Sequence, residues 1–130
     1  MRGVKPAIST DPDALDSLPV PDWFAPDASA EWSRIMPILL ERRILTDADL
    51  GSLESYCVAT GTIREMERLL QADGHILNVE GTLKKHPAVS VQSDAMTRAR
   101  LLASELGLTP VSRSRPSVRD DGDDDDELIT

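Results

Sequence analysis

Two histidines, one cysteine and an acidic run are the groups in this chain that could bind a metal or act as a nucleophile. His75 and His86 could begin a metal site, but without a clear third ligand ordinary surface histidines are the favoured interpretation. Cys57 lies in an apolar helical region with no histidine near it in sequence, which favours a buried small hydrophobic residue over a nucleophile. The run at 121–127 fails the register of a calcium loop, because Asp126 stands where that loop requires glycine.

Motifs that commonly carry catalysis are missing from the sequence. It contains no glycine-rich phosphate-binding loop, no Gly-x-Ser-x-Gly elbow and no His-Glu-x-x-His pair. A single cysteine allows no intramolecular disulfide, which fits a reducing cytosolic setting. We therefore expect a protein that is not an enzyme and that needs neither a metal nor another cofactor.

The apolar stretches of the chain are short. None approaches the roughly 20 residues needed to span a bilayer, and the N-terminus lacks the apolar core of a signal peptide. We expect a soluble protein that has no membrane partner and is not exported by that route.

The formal net charge of −9 is concentrated near the C-terminus. Seven of the 23 acidic side chains lie between Asp120 and Glu127, which leaves 16 acidic residues against 14 basic ones in the preceding part. The body is thus close to neutral, and the acidic run is typical of a solvated tail.

Basic residues occur in separate groups, each of which could contact phosphate. Candidate nucleic-acid contacts are Arg2 and Lys5 near the N-terminus, Lys84 and Lys85 in the middle, and Arg113 and Arg115 towards the C-terminus. Isolated cations are more often ordinary solvated charge, so these groups alone do not establish DNA binding.

The spacing of apolar residues predicts a mainly α fold. A first helix should start near Pro26 or Asp27, with an apolar stripe at Ala28, Trp32, Ile35 and Leu39. Pro37 should kink or break it, even into two short helices. Trp23 and Phe24, just before this helix, should dock against the core.

Two longer helices should follow. One begins after Thr46 or Asp47, and Gly61 within it is equally consistent with close helix packing and with a merely imperfect helix. The other runs from about Pro87 to Leu106 and ends at Gly107. Their predicted apolar faces are Leu53, Tyr56, Thr60, Ile63, Met66 and Leu70 on the second helix, and Ala88, Val91, Ala95, Ala99, Leu102 and Leu106 on the third.

A small β-hairpin at about 75–85, turning at Glu80 and Gly81, should separate these two helices. Because an isolated hairpin is marginal in water, it should rest on the helices or on a neighbouring subunit. The predicted organisation is a compact helical core at 23–110, a flexible N-terminal arm at 1–22, and a disordered Ser/Arg-rich then acidic tail at 111–130.

Several short sequence motifs, taken in their order along the chain, resemble those of a phage terminase small-subunit family associated with packaging of siphophage-type genomes. They are Arg2-Gly3-Val4-Lys5-Pro6, Pro21-Asp22-Trp23, Ala30-Glu31-Trp32, Ile44-Leu45-Thr46-Asp47-Ala48-Asp49, Tyr56-Cys57, His86-Pro87-Ala88-Val89, and the segment from Glu105 to Arg115. The resemblance covers roughly 21–115. Similar proteins usually begin Arg-Gly-Arg-Lys-Pro, whereas this chain has Val4 at the third position of that motif.

The resemblance implies a phage- or prophage-encoded protein of the host cytoplasm that forms a homo-oligomeric ring. Such a ring would recognise viral double-stranded DNA and pass it to a large subunit that carries the ATPase and nuclease. Small and apolar residues of the last two helices are then candidate subunit contacts: Ala59, Ile63, Ala95, Ala99 and Leu102. Two alternatives stay open, namely a dimeric helical DNA-binding regulator and an acidic interaction protein or DNA mimic.

Overall fold

The computed structural model describes residues 18–43 and 45–110, and its mainly α architecture confirms the predicted fold class. The elements are helix α1 (Pro26–Arg42), a short 3-10 helix (Asp47–Asp49), helix α2 (Leu50–Asp73), strands β1 (Ile76–Val79) and β2 (Thr82–Lys85), and helix α3 (Pro87–Glu105). Residues 1–17 of the predicted N-terminal arm and the whole predicted tail at 111–130 lie outside the described residues.

Helix α1 begins at Pro26, where the missing amide proton costs nothing because the first turn has no intrahelical acceptor for it. The residues of the predicted apolar stripe are all buried. The helix continues through Pro37, so the suggested division into two short helices is wrong. Pro37 is exposed, as is Ser33 one turn earlier, and water can therefore replace the hydrogen bond that proline removes.

Helix α2 is the central element, because it packs against both α1 and α3. Its pairing with α3 is antiparallel: Ser52 donates to Glu105 near one end, and Gln92 donates to the Ile63 carbonyl and to Glu67 near the other. The core between the helices is mainly aliphatic. Its fully buried residues include Ile35, Leu39, Leu45, Leu53 and Cys57.

The hairpin forms where the sequence predicts it. Glu80 and Gly81 have φ angles of +53° and +88°, and the Asn78 side chain accepts the Gly81 amide at 2.9 Å. Two successive positive φ angles are typical of the turn that matches the twist of a hairpin. Of the eight strand residues only Leu77 is half-buried, so the described helices do not supply the expected support.

The segment before α1 contacts the core through residues on both sides of Pro21. The Trp32 indole donates to the Leu18 carbonyl at 3.3 Å, and the Phe24 ring meets the Trp32 ring edge-on at 5.6 Å. Trp23 is still 59% exposed, so only one of the two aromatics expected to dock is largely covered. The end of the predicted arm therefore lies against the core from Leu18 onward.

Candidate nucleic-acid interface

Two arginines near the core form ion pairs with one buried carboxylate. Glu31 lies on α1 with no exposed surface, and it accepts hydrogen bonds from Arg34 at 2.6 and 2.9 Å and from Arg64 at 2.9 Å. The Tyr56 hydroxyl donates to the same carboxylate at 2.7 Å. This cluster joins α1 to α2, and its cations are engaged in holding the fold.

Ionisation of the cluster follows from its contacts. Burial opposes the charged form of Glu31, but hydrogen bonds from Arg34 and Tyr56 and the charge of Arg34 outweigh it, so the pKa of Glu31 is lowered. Burial, and then the hydrogen bond to the Glu31 carboxylate, raise the pKa of Tyr56. Glu31 is therefore a buried anion held by its neighbours, and its role is structural.

Two further arginines also make contacts within the fold. Arg68 on α2 pairs with Asp27 in the first turn of α1, and this hydrogen bond lowers the pKa of Asp27. Arg42 at the end of α1 donates to the Gly107 carbonyl, just beyond α3. Both contacts tie α1 to a neighbouring element.

The remaining described cations are exposed and make no ion pair with any residue at 18–43 or 45–110. They are Arg43, Lys84, Lys85, Arg98 and Arg100. Since no neighbouring carboxylate neutralises them in the described chain, they can contact phosphate without first breaking an ion pair.

Lys84 and Lys85 are adjacent on β2, and adjacent strand residues project to opposite faces. Lys84 is paired across the hairpin with Leu77, and Lys85 with Ile76. The two lysines therefore cannot both contact one flat surface. They share an element, as the sequence predicts, but each belongs to a different face of it.

The other predicted nucleic-acid contacts, Arg2, Lys5, Arg113 and Arg115, lie outside the described residues. The predicted subunit contacts are placed together, but inside one chain. Ala59, Ala95 and Ala99 are buried, and Ile63 and Leu102 are half-buried against the core. Ala59 and Ala95 also line a groove between α2 and α3. As subunit contacts, the five residues stay a prediction.

A groove of about 400 Å³ lies beside α2 and α3. Its apolar walls include Trp23, Val58 and Val91, and Glu54 and Arg98 contribute charged groups. Val91 is 46% exposed, although its spacing places it on the predicted buried face of α3. The sequence signal that could have indicated this groove is Trp23, an aromatic residue shortly before α1.

The two histidines have different environments, and only His75 is exposed. His86 is buried and lies directly before α3, where its Nδ1 accepts the Ala88 amide at 2.9 Å and its Nε2 lies 2.9 Å from the Asp73 carboxylate. The surface interpretation of His86 is therefore wrong, since this ring caps a helix. Among the described residues, no group of three potential ligands could hold a metal ion.

Cys57 has no exposed surface, and burial raises the pKa of its thiol to about 12. A thiol that stays protonated is a poor nucleophile, so the interpretation of Cys57 as a small core residue is confirmed. In the described part of the chain, no helix combines the length and apolar character needed to cross a bilayer.

Comparison with known families gives a match over most of the chain. The family described as the small subunit of phage terminase matches residues 28–123. That range contains nearly all of α1, the whole of α2, the hairpin and α3, and it continues past Arg113 and Arg115. Neither the curated proteins nor the solved structures contain a match.

Proposed function

The chain belongs to the phage terminase small-subunit family, and we propose that it forms a homo-oligomeric ring that recognises viral double-stranded DNA. The ring then delivers this DNA to the large terminase subunit during genome packaging. The observation that carries the proposal is the family match at 28–123, which includes every strand and helix except the first two residues of α1. As a member of a phage family, the protein acts in the host cytoplasm in this proposal.

The exposed cations support DNA recognition. A few unpaired cations per chain give weak binding, but a ring repeats them and converts weak contacts into a multivalent surface. Lys84 is well suited to such a surface, because it lies on an exposed strand without a carboxylate partner among the described residues. Arg113 and Arg115 complete the proposed set.

The chain itself contributes no catalytic step in this proposal. ATP hydrolysis and DNA cleavage belong to the large subunit, whereas the small subunit supplies position and affinity. The contacts of Arg64 and Arg68 agree with this division, because both arginines stabilise the packing of α1 on α2.

The test is DNA binding by the full chain, measured on viral packaging-site DNA and on unrelated DNA at several salt concentrations. Light scattering should accompany each measurement to give the oligomer mass. Lys84→Ala, and Arg113→Ala with Arg115→Ala, should lower affinity and flatten its dependence on salt, because fewer counterions are released on binding. Thr82→Ala, on the same hairpin face as Lys84, is the matched control.

Three outcomes would contradict the proposal. A concentration-independent monomer would remove the ring, and a stable dimer would favour the alternative of a DNA-binding regulator. If the ring persists and none of the basic substitutions changes binding, DNA is recognised by other residues.

A further inference from the structure

One face of the hairpin carries apolar side chains that no residue at 18–43 or 45–110 covers. The strand register places Ile76, Asn78, Leu83 and Lys85 on this face, here called the Leu83 face. Ile76 is 58% exposed and Leu83 is 70% exposed. Since a two-stranded hairpin is marginal in water by itself, these side chains indicate a surface that is covered in the functional state.

The groove beside α2 and α3 is a second apolar surface that the described part of the chain leaves uncovered. Its exposed apolar residues Trp23, Val58 and Val91 define what we call the Trp23 groove. Tryptophan supplies a large contact area and is enriched among residues that dominate binding energy. The groove is concave, whereas the hairpin projects, so their shapes can fit together.

We propose that the Leu83 face of one copy docks in the Trp23 groove of a second copy. The inference rests on the proposed ring and identifies the surfaces that hold it together. The hairpin joins the C-terminal end of α2 to the start of α3, and its Leu83 face is uncovered by its own helices. A second copy supplies an uncovered groove of suitable chemistry without any change in the fold of either chain.

Charges agree with this pairing. The Leu83 face carries Lys85, and the groove is bordered by Glu54 on α2. The turn of the hairpin contributes Glu80, and the groove contributes Arg98 on α3. Each surface thus offers one acidic and one basic group to the other, which favours a single orientation of docking.

The geometry of assembly follows from the position of the two surfaces. They are different parts of the chain, so each copy donates its hairpin to one neighbour and its groove to another. Such a head-to-tail contact produces a ring when the rotation closes. Lys84 lies on the opposite hairpin face, so docking leaves it available to DNA.

The first experiment measures the mass of the full chain by size exclusion with light scattering. Leu83→Asp on the hairpin and Val91→Asp in the groove should each reduce the assembly to the 14.2 kDa single chain. Val79→Asp on the opposite hairpin face, and Met96→Asp on α3 outside the groove, are matched controls that should keep the assembled mass. Circular dichroism of each variant should show an unchanged helix content.

A mixing experiment tests the head-to-tail arrangement. The Leu83→Asp chain keeps an intact groove, and the Val91→Asp chain keeps an intact hairpin. Neither variant should assemble alone. Mixed in equal amounts, they should form a pair of twice the single-chain mass, because the intact hairpin of one can dock in the intact groove of the other. A mixture that stays at the single-chain mass overturns the proposal.

A charge exchange supplies a measurement that does not depend on apolar substitutions. Lys85→Glu should raise, at least several-fold, the protein concentration at which half of the chains are assembled. Adding Glu54→Lys in the same chain should restore much of the lost assembly. Failure of the second change to restore assembly counts against the pairing of these surfaces.

These experiments distinguish failure of the proposed ring from failure of the proposed docking. If the unaltered chain is a monomer, both the ring and the docking are overturned. If it is a multimer that Leu83→Asp leaves intact, the docking alone is overturned. In that case a loss with Val91→Asp means that another part of the second copy fills the groove, and no loss means that the groove lies outside the contact between copies.

Discussion

Gly61 on α2 lies directly against the backbone of Ala28 on α1: a Cβ atom at Gly61 would stand 2.9 Å from the Ala28 nitrogen. It would also lie 3.2 Å from the Ala28 Cα atom. Glycine inside a helix costs about 1 kcal/mol relative to alanine, and here that cost permits α1 and α2 to approach closely. Of the two interpretations of Gly61, close helix packing is therefore the one that the structure confirms.

Gly61→Ala should destabilise the fold although it improves helix propensity. The added methyl group meets backbone atoms rather than a flexible side chain, so α1 must move away from α2. We expect a net loss of about 1–3 kcal/mol in the free energy of unfolding, the usual cost of overpacking. Denaturant unfolding at one fixed protein concentration measures it, since assembly also affects stability.

Gly51→Ala is the matched control for that experiment. No atom lies within 4 Å of a Cβ placed at Gly51, which is exposed near the start of the same helix. This change should leave stability unchanged or raise it by up to about 1 kcal/mol. Equal effects at the two glycines would show that propensity, and not the Ala28 contact, dominates at Gly61.

Glu31→Gln should destabilise the packing of α1 on α2. The amide keeps the shape of the side chain but removes the charge that Arg34 and Arg64 neutralise, and it turns one acceptor into a donor. Because both arginines are partly exposed and can return to water, we expect a loss of about 1–3 kcal/mol rather than the larger cost of a fully buried pair. Chemical denaturation measures this loss, and Asp27→Asn at the exposed pair should have a smaller effect.

The same cluster should make stability depend on pH. The pKa of Glu31 in the folded state lies below its ordinary value of 4.5, so the unfolded chain takes up the proton first as the pH falls. The stabilisation is complete above the unfolded pKa and is lost as the pH falls through the folded pKa. The stability difference between the unaltered chain and Glu31→Gln should therefore shrink under acid conditions. A difference that stays constant from neutral pH to well below 4.5 would contradict this account.

His86→Ala should loosen the start of α3. The substitution removes the acceptor for the Ala88 amide and the contact with Asp73, so we expect a loss of about 1 kcal/mol, as for other helix caps. His86→Asn should recover part of it, because asparagine is a good cap. Thermal unfolding together with amide exchange at the first turn of α3 measures the effect. His75→Ala, at the exposed histidine, should change neither observable.

Removal of residues 120–130 should raise the affinity for non-specific DNA at low salt. The seven acidic side chains of this segment compete with phosphate for the cations of the body, and this competition is screened over about 10 Å at 0.1 M salt. The gain should therefore decline as salt increases. A full-length variant with Asn and Gln at the seven acidic positions is the control for chain length. Unchanged affinity in both variants would rule out autoinhibition by the tail.

Local features of the fold were determined by the sequence itself. Pro26 suits a first helical turn, Gly81 suits the positive φ of a hairpin turn, and Gly107 with its φ of +72° ends the last helix. Each depends on the backbone preferences of one or two residues. The apolar stripe of α1 is predictable for a related reason, since helical periodicity places its members on one face before any partner is known.

Tertiary packing decided which surfaces remain for function. Glu31 directly precedes Trp32, a member of the apolar stripe of α1. Only the approach of α2 brings Tyr56 and Arg64 to the Glu31 carboxylate. Periodicity likewise assigns Val91 to a buried face, although α2 covers just part of that face and leaves Val91 in a groove with Trp23. Sequence spacing specifies the direction of a side chain around its own helix. Whether another element covers that side chain depends on how the helices pack, and this is a property of the whole fold.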